Sequence, residues 1–428
     1  MKKSLTILLV LTMVVGAFAG CGVKEAAPAA PAEKADVPAA TGRNVEPLEV
    51  WVRNSFYDEI SEAAKMFTES TGIPVNVTEP SNMSDDLALA LSSGDVPDVV
   101  SIDCVLAPYY ASIGALMDLT DYFNSLEYKD TFAGGTLNLA SYEGKQYAVP
   151  FVPDVSVLLY NKDLFAANGL DPEKAPSTWD EIIEAAEACT KDDVYGYIFA
   201  ASDPGGMMFT FGPYIWANDG DFTTNGGSES ALNQPEAVSA LQLITDMVHK
   251  YHVAPKSITS YDWTSSHDAF KAQKAAMLVS GSSAVGDIVN GKYDFNVGCC
   301  PIPSPDGSRV ASFSGGDSIA IMAGTDKADA AWQFIDYCLS EEVQVDMMVK
   351  SGNIPARMDF FENEIFADHA EYDVLRVALE NGEAPYSLKY NEMYTPWADA
   401  IQFALNQEKD PQQAFDDAKV EIDAILAE

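Results

Sequence analysis

Basic residues are scarce in this chain: 25 Lys and Arg stand against 65 Asp and Glu, a formal net charge of −40 at pH 7. Such a balance repels phosphate backbones and excludes nucleic acid as a partner. The acidity reads as a solubilising, solvent-facing surface. Histidine is rarer still, at four residues, and His249 and His252 stand near a helix end, where they favour its dipole rather than bind metal. Of six cysteines, Cys21 closes the N-terminal apolar segment, leaving Cys104, Cys189, Cys299, Cys300 and Cys338. An odd remainder argues against a disulfide framework, and the adjacent pair lacks the C-x-x-C spacing of a metal knuckle. No GxSxG or HExxH occurs, so nothing demands covalent or metal catalysis, and neither metal nor cofactor is expected. Two tempting loops also fail. "GDIVNGKY" (286–293) has phosphate-loop spacing but Tyr293 in place of the magnesium-binding hydroxyl. "DFTTNGGSE" (221–229) starts like a calcium loop, yet position twelve is Leu232. Both read as turns.

What is present begins with Lys2 and Lys3, an apolar stretch from Ile7 to Phe18, and then Ala19-Gly20-Cys21. A short apolar segment behind positive charge, with small residues at the cut, reads as an export leader over 1–20. Ending on cysteine, it resembles a bacterial lipoprotein signal, in which Cys21 becomes the lipidated first residue and the acyl chains hold the protein at the outer face of the cell membrane. No later segment is long and apolar enough to span a bilayer. Residues 21–46 are low-complexity Ala, Pro and charge, a flexible tether.

Beyond them the pattern is that of an α/β protein long enough for two or more domains. Leu48, Val50 and Val52 alternate. Ile60, Ala63, Ala64 and Phe67 recur at helical spacing up to Gly72; Val75–Val77 is a strand, Leu87–Leu91 a helix stopped by Gly94, and "PDVVSID" (97–103) a third strand. This alternation predicts a parallel, doubly wound sheet. "STWDEIIEAAEAC" starts a helix with a capping box, Thr178 with Glu181. Asn233 caps another with Pro235 just inside, and the C-terminal third reads as helices over 329–350, 396–407 and 411–427.

Polar residues at strand ends, interleaved with aromatics, are the unusual feature. Arg53, Asn54, Ser55 and Phe56 follow the first strand and Asp103 ends the third. Phe209, Phe211, Tyr214 and Trp216 cluster ahead of Asn218-Asp219, Ser282-Ser283 follow "MLVSG", and Gly315, Gly316 and Asp317 precede a strand. In "YAVPFVPDVSVLLY" (147–160) an apolar run is cut by Pro153 and Asp154. An unpaired buried charge is costly, so Asp154 either lies at an opening in the fold or has a partner from outside. Ligands of open α/β sheets bind at the carboxyl ends of strands, where carboxylates meet hydroxyls and aromatic faces cover sugar C–H faces.

"YEGKQYAVPFVPDVSVLLYNKDLFAANGL", followed by "APSTWDEI" and supported by "SSGDVPDVV", "GALMDLTDYF", "NQPEAVSALQLITDMV", "AFKAQKAAMLVSG" and "SGNIPAR", resembles the extracellular solute-binding proteins of bacterial ABC importers, in their carbohydrate-binding, maltose-binding-protein-like branch. The resemblance implies a periplasmic-binding-protein-like fold of two α/β lobes, each a doubly wound sheet flanked by helices, with hinge crossings between them and a sugar in the cleft. It divides the chain into lobe 1 (47–152 plus 309–356) and lobe 2 (153–308 plus 357–428). It also implies that Asp154 accepts sugar hydroxyls, that Asp103 lines the same cleft, and that Tyr394 is a stacking aromatic. Ser283 falls where maltose binders place a Trp, a departure from a maltodextrin site. The residues expected to bind ligand are Asn54, Ser55, Phe56, Asp103, Asp154, Phe211, Trp216, Ser283, Gly316, Asp317 and Tyr394. The expected partners are a small carbohydrate, ABC permease subunits and the membrane through Cys21, with the protein itself a monomer. The alternatives are a binder of a polyol, nucleoside or organic cation, or a glycoside hydrolase using Asp103 and Asp154. Arg53 discriminates among ligands: if it lines the cleft, an anionic one gains weight.

Overall fold

The computed structural model describes residues 46–53 and 56–428. The leader, Cys21 and the tether through residue 45 lie outside the described residues, as do Asn54 and Ser55. Strand β1 (Leu48–Trp51) turns Leu48 and Val50 inward. It leads to helix α1 (Tyr57–Thr71), whose buried stripe is Ile60, Ala63, Ala64 and Phe67. Gly72 ends that helix at φ 76°, its N–H donating to the Thr68 carbonyl, the left-handed cap that glycine takes without strain. Strand β2 (Val75–Thr78), helix α2 (Met83–Ser93) and strand β3 (Val99–Asp103) follow. Then come β4 (Val149–Val155) and β5 (Val157–Asn161), separated by Ser156 alone. Next are α3 (Trp179–Cys189), β6 (Tyr195–Ile198), α4 (Pro204–Ala217), α5 (Pro235–His249) and β7 (Ala275–Ser280). Helix α6 (Ser282–Val289), β8 (Val297–Cys300) and β9 (Val310–Ile321) lead into the C-terminal helices. These are α7 (Ala328–Cys338), α8 (Ala370–Glu380), α9 (Tyr394–Leu405) and α10 (Pro411–Leu426).

Two separate sheets organise these elements. In the first, β1 pairs in parallel with β2 and β3, while the twelve-residue β9 runs antiparallel to both β3 and β4. In the second, ordered β8-β5-β7-β6, β5 is antiparallel to both neighbours and only β7 and β6 run parallel. Each sheet is therefore mixed rather than wholly parallel. Leu48, Val50, Phe67, Phe151 and Phe334 share the core of the first sheet, and Leu158, Ile182, Tyr197, Met277 and Trp397 that of the second. Each such buried Leu, Ile or Phe contributes roughly 1.5–3 kcal/mol.

The prolines do not break the apolar run as expected. Strand β4 continues through them, Pro153 facing Gly316 and Asp154 facing Gly315 across the ladder. Its one ladder partner is β9, so a missing N–H on the other edge costs no sheet bond. Val155 still pairs with Ser314, which puts the change of sheet at Ser156, a few residues later than the cut at 152. There the Ser156 N–H donates to Ser312 Oγ at 2.8 Å, and that hydroxyl lies 3.0 Å from the Ser156 carbonyl.

Other expectations shift locally. Thr178 caps α3 through the Glu181 N–H, but the Glu181 carboxylate turns to the Ser177 N–H instead of closing the box. Gln234, not Asn233, is the cap residue of α5, and Asn233 Nδ2 donates to Asp416 on α10. The helix expected over 329–350 is split: α7 ends at Cys338 and a π-helical turn spans Gln344–Val349. Among the described residues no helix is long and apolar enough to cross a membrane. All five described cysteines are free thiols, four of them buried.

Candidate functional site

A cleft of ≈ 500 Å³ opens where the strand ends of the first sheet face α4, α6 and α9 of the second. That volume lies within the roughly 300–1,000 Å³ of small-molecule sites. Arg53 lines it just beyond β1, and Asp103, the last residue of β3, lies beside it. Arg53 Nη1 donates to Asp103 Oδ2 at 3.2 Å, and Nη2 donates to Asp317 Oδ1. Asp317 sits opposite Asp103 in the β9–β3 register, and its other oxygen accepts from Ser101 Oγ at 2.5 Å. Its side chain is wholly buried. Asp317 is thus not a wall of the cleft but the floor support of Arg53, since a carboxylate at that depth needs a cationic partner.

Asp154 answers the question of its placement. Its Oδ1 accepts three hydrogen bonds: from the Val155 N–H at 2.9 Å, the Ser282 N–H at 2.9 Å and Ser282 Oγ at 2.6 Å. Oδ2 takes none from the described residues, and Asp154 lines the cleft. One oxygen is anchored across to the start of α6, and the other has no hydrogen bond from the described residues. Burial pushes the Asp154 pKa above the usual carboxylate value, against the pull of the Ser282 and Val155 donors. Asp103 moves the same way: burial dominates, Arg53 opposes it and Asp317 adds to it. Asp103 nevertheless keeps 38% of its side chain exposed, because the cleft crowds it without covering it.

Around these acids stand rings. Tyr394, first residue of α9, donates its hydroxyl to Tyr390 Oη at 3.0 Å, the two rings meeting edge to face at 5.0 Å, and both line the cleft. Phe56, Ser283 and Gly316 line it as expected. Gly316 has φ 92°, and a Cβ there would collide with the Val152 carbonyl, so only glycine lets β4 and β9 approach at this point.

Phe211 and Trp216 are elsewhere. Phe211 is fully buried, stacked on Trp397 at 5.4 Å. Trp216 lies against Phe222 at 5.0 Å and behind Phe313 at 6.2 Å, its Nε1 donating to Asp221. The members of α4 that do reach the cleft are Gly205 and Phe209, four residues apart. Helical phase, rather than the local density of aromatics, was the signal that would have found them. Phe209 packs on Phe313 at 5.2 Å, and Phe313, Tyr390, Glu59, Ser282, Ser351 and Asn353, with Val152 and Pro153 of β4, also line the cleft without having been singled out for ligand contact. A carboxylate with one oxygen unbonded among the described residues, set among rings and hydroxyls, can accept from the hydroxyls of a polyhydroxylated ligand while the rings cover its apolar faces.

Comparison with known proteins places the fold and the family. A maltooligosaccharide ABC transporter solute-binding lipoprotein of Streptococcus pneumoniae is 24% identical over 97% of this chain and 95% of its own. The diacetylchitobiose binding protein DasA of Streptomyces coelicolor is 26% identical over 74% of each. The sugar-binding protein MalE of Xanthomonas citri superimposes with a TM-score of 0.81, covering 89% of this chain and 98% of that one at 20% identity, and so shares the two-lobe fold. The model of the bacterial extracellular solute-binding protein family matches residues 52–345. This chain belongs to that family.

Proposed function

We propose that this solute-binding protein captures a sugar or short oligosaccharide in the interlobe cleft and delivers it to an ABC permease. The observation that carries the reading is Asp154, with three donors on Oδ1 and none from the described residues on Oδ2, at the wall of a cleft that Phe209, Tyr390 and Tyr394 also line. Relatives named for maltooligosaccharide and diacetylchitobiose support a carbohydrate. Lobe 1 is taken as 47–152 plus 309–356 and lobe 2 as the remainder beyond the tether, with closure about the Ser156 crossing. A ligand touching both walls favours the closed arrangement by its differential affinity; a micromolar one supplies about 8 kcal/mol in all. Cys21 anchors the protein by its acyl chains, the receptor acts as a monomer without cofactor, and Asp103 and Asp154 bind rather than hydrolyse.

Thermal-shift and calorimetric screening against mono-, di- and oligosaccharides and polyols tests the reading. A ligand at 100 times its Kd stabilises the protein by about 2.7 kcal/mol, so a hit raises Tm visibly. Silence across the sugars with a response to a polyol would move the substrate class. Turnover of a chromogenic glycoside, lost in Asp154→Asn, would reverse the reading in favour of an enzyme.

A further inference from the structure

We propose that Arg53 sets the permitted charge of the ligand: its cation is spent on Asp103 and Asp317, so the cleft takes uncharged sugars and rejects those carrying a carboxylate or phosphate. This rests on the sugar-binding reading above. An arginine at the wall of a binding cleft would ordinarily be an anchor for anions, since its planar fork matches carboxylate and phosphate. Here both terminal nitrogens are aimed at protein carboxylates, Nη1 at Asp103 and Nη2 at Asp317. The remaining nitrogen, Nε, is buried and has no partner among the described residues, so a ligand cannot reach it from the cleft. Asp317 is itself locked by Ser101. Three further facts work against an anion. Glu59, Asp103 and Asp154 line the cleft; among the described residues no lysine does; and Asp154 already draws in the hydroxyl and N–H donors of Ser282. Each terminal nitrogen keeps a second N–H, but the single positive charge is already outweighed by Asp103 and Asp317. An anionic ligand would therefore meet a cleft of net negative charge, an arrangement that discriminates strongly between partners.

The network also says how the selectivity would be undone. Replacing Asp103 by Asn leaves Nη1 without an anionic partner beside the cleft; replacing Asp317 by Asn does the same to Nη2 from beneath. Neither change moves Arg53 off the end of β1.

The test is calorimetric titration of the full chain with glucose and glucuronate, galactose and galacturonate, maltotriose and N,N′-diacetylchitobiose, and glucose 6-phosphate. It is run on the wild type, Asp103→Asn and Asp317→Asn, with urea unfolding as the check that each variant is folded. Should Asp317→Asn fail to fold, Asp103→Asn carries the test alone. The wild type is expected to bind a neutral sugar at least about 30-fold more tightly than any acidic one, with the gap narrowing about tenfold in a variant, an effect of the size expected for charge pairs in a desolvated site. Arg53→Lys should keep the wild-type preference, because it keeps the cation between the same carboxylates. Wild-type protein that binds glucuronate, galacturonate or the phosphate as tightly as a neutral sugar overturns the proposal, as does a gap unchanged in Asp103→Asn. Absence of binding to every sugar, neutral and acidic, overturns instead the sugar-binding reading on which it rests.

Discussion

Two acids of the cleft, Asp103 and Asp154, come from strands of the first sheet and a third, Glu59, from α1, whereas most of its rings come from helices and loops packed on the second. Asp103 ends β3 and Asp154 lies within β4. Phe209 is carried by α4, Tyr394 by α9, and Tyr390 by the turn before α9. Asp103 is fixed by the β3–β9 ladder, whereas Asp154, though laddered to β9, is also tied across to Ser282 on α6. On the closure proposed above, a ligand touching acids and rings on both walls would be the bridge, which is the condition for ligand-driven closure.

The comparison breaks first at the aromatics. Phe211→Ala should cost about 3–5 kcal/mol of stability, as expected for a buried ring, with ligand affinity in the folded fraction unchanged; urea unfolding and calorimetry separate the two. If affinity falls and stability does not, Phe211 belongs to the cleft after all. Asp154→Asn should do the reverse, weakening ligand binding by roughly 1.5–3 kcal/mol with little loss of unfolding free energy, since an amide oxygen can still accept from Val155 and Ser282 while the charge proposed to meet the ligand is gone. Unfolding of that variant would mark Asp154 as structural. Tyr394→Ala should weaken binding by about 0.5–1.5 kcal/mol, the size of an aromatic face contact, while Tyr394→Phe, which keeps the ring, should stay near wild type in the same titration.

Acid gives the smallest and most graded effect. Burial raises the Asp154 pKa, so in the empty protein the group favours folding below its unfolded pKa and loses that contribution as pH rises through the folded value. Ligand binding has the opposite sign, because the ionised oxygen is the better acceptor for a hydroxyl. Affinity should therefore be full at neutral pH and fall on acidification from a higher pH than an ordinary carboxylate would give, while this carboxyl does not destabilise the empty fold. A pH series of calorimetric titrations on the wild type and on Asp154→Asn, in which only the contribution of Asp103 remains, checks both signs by difference.

Much of this was legible in the residues. The alternation of Leu48, Val50 and Val52, the stripe from Ile60 to Phe67, and the glycines that stop α1 and α2 all reflect local periodicity, and they hold. So do Asp103, Asp154, Ser283, Gly316 and Tyr394 as neighbours of one cleft. What failed was the reading that needed a partner distant in sequence. Asp317 looked like any strand-start carboxylate; its burial depends on Arg53, 264 residues away. Trp216 and Phe211 were chosen by proximity along the chain, whereas α4 is buried nearly all round and only the Gly205–Phe209 edge faces out. The antiparallel course of β9 was hidden because strand direction depends on which strands the chain has already laid down.

Packing outside the cleft sharpens the same contrast. Gly286 on α6 meets Gly352 so closely that a Cβ on Gly286 would lie 2.7 Å from the Gly352 Cα. This contact carries no charge and no ring, and it joins the segment of Ser351 and Asn353 to the helix of Ser282 and Ser283, all four of which line the cleft. Gly286→Val should wedge these walls apart and weaken binding by about tenfold, measured by calorimetry; unchanged affinity would show that the contact yields freely.

A crystal structure with the tightest-binding sugar in place probes the heart of the matter. Bound hydroxyls should lie within hydrogen-bonding distance of Asp154 Oδ2, with a ring face of the sugar against Tyr394 or Phe209. A sugar seated elsewhere, or one held between the walls while that oxygen stays unengaged, would contradict the account.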